Sequence, residues 1–144
     1  MRLSAKAQYA CVAMVDLACN YGDPSPVHLK HIADKHGISQ RFLVQILLHL
    51  KGAGLVDSTR GATGGYLLAK PPALISLADI VHAIDQQPPP APSALSGLYS
   101  TNIVQVASAV LQEAQDREQR RLAEVSLEEL VRLAQQRSEI SYQI

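Results

Sequence analysis

The sequence predicts a mainly α-helical chain carrying one small β-hairpin, and three observations predict it. Apolar residues recur at helical spacing over most of the chain, a stretch rich in Val, Thr, Tyr and Leu surrounds a glycine-rich turn, and a proline tract divides the helical segments. With 144 residues, 47% of them hydrophobic and 18% charged, the chain can build one core and lacks the composition of a disordered segment.

Residues 3 to 20 place Leu3, Ala7, Ala10, Cys11, Met14, Leu17 and Ala18 at helical spacing, and "NYGDPSP" supplies the residues that stop a helix. "VHLKHIADKHG" predicts a short helix ending at Gly37, and Ser39 is placed to cap the next, "QRFLVQILLHLKGAG". In that helix Phe42, Leu43, Ile46, Leu47 and Leu50 form an apolar face, with Arg41, Val44, Gln45 and Leu48 opposite. "LVDSTRGATGGYLLAK" predicts a hairpin with a basic, glycine-rich tip.

Ser76 and Asp79 predict a capping box, and Ile75 with Ile80 a hydrophobic staple, at the start of "ISLADIVHAI". Pro88, Pro89, Pro90 and Pro92 end that helix and exclude helix or inner strand from residue 86 to about residue 97. From Ile103 to Glu124 a long amphipathic helix is expected, with Ile103, Val106, Ala107, Val110, Leu111, Ala114, Leu122 and Val125 as its stripe. Ser126 with Glu129, and Val125 with Leu130, predict a short final helix.

Formal charge is zero but unevenly spread: residues 1 to 70 hold eight Lys and Arg against four Asp and Glu, whereas residues 71 to 144 hold five against nine. A basic first half and an acidic second half suggest an anion-binding part joined to a more acidic one. No stretch reaches membrane-spanning length and the N-terminus lacks a signal-peptide pattern, so a cytoplasmic protein with no membrane partner is expected. Cys11 and Cys19 lie on one helix roughly 12 Å apart, too far for a disulfide, and the periodicity assigns both to the core.

Two short helices meeting at a tight glycine turn, then a two-stranded ribbon with a basic tip, follow the winged helix-turn-helix order. An α-helix fits the major groove of duplex DNA, where Gln45 can read adenine and Arg41 guanine; Arg60 can lie along a groove edge. Taken singly, an exposed Arg or Gln is an ordinary solvated position and paired glycines an ordinary turn. Their order, within a basic half, favours a DNA reader.

These residues resemble the iron-sulfur cluster regulator family, dimeric bacterial winged-helix transcription factors. The resemblance is carried by "MRLSAKAQYACVAMVDLA", "ISQRFLVQILLHLKGAGLVDSTRGATGGYLLAK" and "VSLEELV". It implies that Ser39, Gln40, Arg41 and Gln45 lie on the recognition helix, and that Arg60, Thr63, Gly64, Gly65 and Tyr66 belong to the wing. Arg2, Ser4 and Lys6 would approach phosphate. It also implies a homodimer built on the long helix, for which Ile103, Val106, Ala107, Val110, Leu111 and Ala114 supply apolar surface.

Two departures stand out against that resemblance. Val44 occupies a place where many relatives carry Glu, with Leu48 beside it, so the operators of relatives do not carry over. Cluster-binding relatives place three Cys between wing and long helix, because thiolates are the soft ligands an Fe–S cluster requires. This chain has none there, so no cluster and no other cofactor is expected. His28, His31 and His36 have spacings that a metal could use, but they lack a Cys or carboxylate partner at matching spacing, and no metal site is assigned to them. Nor does any nucleophile-and-base or paired-carboxylate pattern indicate an enzyme.

The expected organisation is a mainly α protein with a small β-hairpin: a winged helix-turn-helix domain over residues 1–85, a proline-rich loop over 86–99, a dimerisation helix over 100–125, and a short helix and tail over 126–144. The expected function is a homodimeric DNA-binding transcription regulator, more repressor than activator, on an inverted-repeat operator in double-stranded DNA. A rival reading makes the same scaffold a protein-interaction module. The effector, protein or small molecule, is left open.

Overall fold

Small side chains on the first helix let other elements approach it closely. In the computed structural model, which describes residues 3–85 and 93–143 (the backbone alone for 141–143), helix α1 (Ala5–Cys19) buries Ala7, Ala10, Ala13, Met14, Leu17 and Ala18. Helices α2 (Leu29–His36), α3 (Gln40–Gly52), α4 (Leu77–Asp85) and α6 (Leu127–Gln143) and the hairpin all pack against α1. The core they share includes Ile32, Leu43, Ile46, Leu47, Leu50, Ile75, Ile80 and Leu127, each fully buried.

Gly37 ends α2 in the left-handed conformation at φ +70°, which glycine adopts without strain, and the Ile38 amide returns to the Ala33 carbonyl. That turn aims α3 across α1. Ser39 stands at the expected cap position, yet only its carbonyl is used, accepting from Leu43 N; its side chain makes no cap bond. Phe42, expected on the buried face, is instead 46% exposed and sits edge-on to Tyr9 with ring centroids 6.2 Å apart. At about 100° per residue it falls beside the stripe that Leu43, Ile46, Leu47 and Leu50 define.

Strands β1 (Val56–Thr59) and β2 (Gly65–Leu68) pair antiparallel, from Val56 with Leu68 to Thr59 with Gly65. Val27 bridges the outer side of β2 through two backbone hydrogen bonds with Tyr66, of 2.8 and 2.9 Å. A Cβ on Gly65 would strike the Val27 carbonyl, so this close approach requires glycine.

The expected capping box before α4 forms in both directions, Ser76 N to Asp79 Oδ2 at 2.9 Å and Asp79 N to Ser76 Oγ at 3.1 Å. The proline tract from 86 to 92 lies outside the described residues. Where a loop was expected to about residue 97, a single 3-10 turn spans Ala94–Gly97, held by Ser93 Oγ accepting from Leu95 N. Helix α5 (Asn102–Glu124) follows, with Thr101 Oγ1 capping its start.

The last helix is longer than predicted: α6 runs 17 residues, where a short helix and a tail were expected. No Gly or Pro follows residue 97 to stop it. It is joined to the first part of the chain by backbone bonds from Leu77 N to Val125 O and from Leu127 N to Ile75 O, both 2.9 Å. Leu127 thereby enters the core formed with residues 1–85.

Candidate nucleic-acid interface

Burial sorts α3 into two faces. Leu43, Ile46, Leu47 and Leu50 are fully buried, whereas Gln40, Arg41, Val44, Gln45 and Leu48 are exposed. Because the buried stripe is locked into the core, the outward stripe is presented on a rigid element. Ser39, also exposed, precedes it.

The hairpin is tied to α3 at its base. Lys51 Nζ, in the last turn of α3, donates to Ser58 Oγ of β1 at 2.7 Å. Leu55, Val56 and Leu68 are buried beneath. At the tip, Arg60 and Thr63 are exposed, Gly61 has φ +105°, and Gly64 N bonds back to Gly61 O at 3.0 Å. The Gly64 and Tyr66 amides are therefore engaged inside the chain, by Gly61 and Val27 respectively. A Cβ on Gly64 would collide with the Thr59 carbonyl, so both paired glycines have a packing reason of their own.

Arg2 lies outside the described residues. Lys6 is half-buried on the first turns of α1. The Ser4 hydroxyl is occupied: it accepts from Ala7 N at 3.0 Å and donates to Asp85 Oδ1 at 2.6 Å. Of the residues linked to pairing of the long helix, Ile103, Val106, Ala107, Val110, Leu111 and Ala114 are all exposed, and α5 buries no residue at all.

Sequence reasoning missed a buried charge beneath this unit. Asp16, with its side chain 1% exposed, accepts from Asn20 Nδ2 at 3.4 Å, meets His36 Nε2 at 2.5 Å and lies 3.5 Å from Lys35 Nζ. It fastens α1 to the last turn of α2. The signal was a lone carboxylate inside the apolar run "AMVDLA".

The cysteines also depart from expectation. Cys11 is partly buried and burial pushes its thiol up to about 11, but Cys19 is exposed on the last turn of α1. Partial burial and the Asp16 carboxylate raise Cys19 as well, against an opposing effect of Lys35.

A helix-turn-helix with its second helix turned outward and a hairpin docked at that helix's end defines a winged-helix protein. The model of the Rrf2 family, described as an iron-dependent transcriptional regulator, matches residues 3–133, and the chain belongs to that family. It is 42% identical over 86 residues to the HTH-type transcriptional regulator IscR of Escherichia coli, a match that covers 60% of this chain and 52% of that relative. The chain thus spans about half the length of the curated relatives it matches. Among solved structures, CymR (YrzC), the global cysteine regulator of B. subtilis, superposes with a TM-score of 0.80 at 29% identity, over 92% of this chain and 98% of that one. IscR of T. potens gives 0.73 at 31%, over 93% and 88%.

The iron in the family's description meets a poor donor set in this chain. Its two cysteines both sit on α1, none lies between the wing and α5, and among the described residues no group of three or more His, Cys, Asp or Glu could hold a metal ion. His36 Nε2 is engaged by the Asp16 carboxylate. These residues do not fit an iron–sulfur cluster. Among the described residues no helix is long and apolar enough to cross a membrane.

Proposed function

We propose that this chain is a DNA-binding transcription regulator of the Rrf2 family that acts as a homodimer on an inverted repeat, represses, and works in the cytoplasm without an iron–sulfur cluster. One observation carries the reading: Arg41, Val44 and Gln45 face outward from a helix whose other side is fully buried, next to a docked wing bearing Arg60. Arg41 and Gln45 would enter the major groove, and Arg60 would follow the backbone at the groove edge. Ser39, Gln40, Thr63 and Lys6 would supply phosphate contacts around them, and Arg2 is assigned there by resemblance. Gly64, Gly65 and Tyr66 would shape the wing from within.

The exposed stripe of α5 supports pairing. Ile103 is 82% exposed and Val106, Val110 and Leu111 are each more than half exposed, an apolar row that a second copy of α5 would cover. Light scattering should find a dimer for the native chain and a monomer for Val106→Glu/Val110→Glu; a monomeric native chain refutes the pairing.

Fluorescence anisotropy against the duplex upstream of the chain's own coding sequence tests the main reading. That duplex should bind more tightly than a scrambled one, and Arg41→Ala should narrow the gap. Arg60→Ala should lower affinity for both and reduce the salt slope by about 1. The exposed apolar side chains Val44 and Leu48 favour a second reading, a protein-interaction module on the same scaffold. Equal affinity for both duplexes would favour that one.

A further inference from the structure

Val44 is an unfavourable residue for its place. It is apolar yet 42% exposed, and its β-branched side chain is a weaker helix former than the straight chains usual on a solvated helix face. It does not belong to the apolar cluster of the core. Its neighbour Leu48 has another surface to meet, lining an open cleft of about 550 Å³ against α4 with Lys70, Asp79 and His82, but Val44 is not part of that cleft. Helical spacing sets Val44 between Arg41, three residues before it, and Leu48, four after, with Gln45 adjacent.

The outward stripe of α3 therefore offers a cation, two methyl groups and an amide in sequence. Of the groups presented in the major groove, thymine C5 carries the apolar one; a carboxylate at the same position of the helix would instead accept from cytosine N4. We infer that Val44 is a specificity-determining residue that packs on a thymine methyl group in each half-site. The inference rests on the DNA-binding function proposed above and extends it to one base and one atom. Arg41 and Gln45 would read their bases by hydrogen bonds on either side, and Val44 adds an apolar contact that discriminates at a further base pair. Burying one methyl group is worth roughly a fourfold change in affinity.

The test uses the full chain. Duplexes are selected from a random pool, and each thymine of the recovered sequence is replaced singly by deoxyuridine, which removes the methyl group and leaves the hydrogen-bonding edge unchanged. Wild-type protein should lose about fourfold in affinity at one thymine of each half-site. Val44→Ala, which exchanges one exposed side chain for a shorter one and a better helix former, should shrink the difference between the thymine and uracil duplexes at that position. No penalty at any thymine for the wild type overturns the inference, as does a penalty that persists unchanged in Val44→Ala. If selection recovers no preferred duplex, the DNA-binding function itself fails, a different result from preferred binding that ignores the methyl groups.

Discussion

Ser4 Oγ donates a 2.6 Å hydrogen bond to Asp85 Oδ1, joining residues 81 apart in sequence. The same hydroxyl caps α1, so one side chain starts the first helix and anchors the end of α4 just before the proline tract. Ser4→Ala should destabilise the fold by roughly 1.5 kcal/mol and Asp85→Ala by about 1 kcal/mol. Thermal unfolding followed by circular dichroism should show the Ser4 variant melting about 5 °C lower. An unchanged melting temperature in both would mean that the contact contributes nothing to stability.

Asp16 carries a heavier load. Replacing His36 by Ala leaves a buried carboxylate with only Asn20 and the more distant Lys35, and should cost about 2–3 kcal/mol. Lys35→Ala removes a half-exposed amine 3.5 Å away and should cost below about 1 kcal/mol. Urea denaturation of the two variants checks the order; a larger loss for Lys35→Ala would contradict the geometry.

Gly65→Ala places a methyl against the Val27 carbonyl and should push β2 off its bridge while the helical core persists. Hydrogen exchange should speed up at the Val27 and Tyr66 amides, with those of Leu47 and Leu50 still protected. Duplex affinity should fall at the same time, since the wing no longer docks in register beside α3.

The cysteines should separate chemically. With its thiol raised from 9.0 to about 11, Cys11 is about one part in a thousand thiolate at pH 8, so iodoacetamide should modify the exposed Cys19 first, as read by peptide mass. The raised value favours the protonated, folded form. Stability from this group is complete below pH 9 and is lost as pH rises towards 11, which alkaline unfolding of Cys11→Ala against wild type would show.

Much of this fold was legible because its signals are local. Gly37, the Ser76–Asp79 box and the "RGATGG" turn each act within four or five residues, and the order of helices and hairpin follows from them. What escaped depends on partners distant in sequence. Several elements pack on α1, so a one-sided apolar pattern could not foretell that Asp16 is buried while Cys19 is exposed. The need for Gly65 is explained only by Val27, 38 positions earlier; the reach of α6, by contrast, was readable in the lack of any Gly or Pro after residue 97.

The two backbone bonds that clip Ile75 and Leu77 to Val125 and Leu127 close the intervening chain into a loop fastened at both ends to the body of the protein. Its length is thus decoupled from the integrity of the reader. Doubling the length of such a loop adds only about 0.6 kcal/mol of closure entropy. Material can be inserted, removed or rewritten between α4 and α5 while the hydrophobic body and its outward helix stay intact, which makes that stretch a natural place for one regulator to diverge from another.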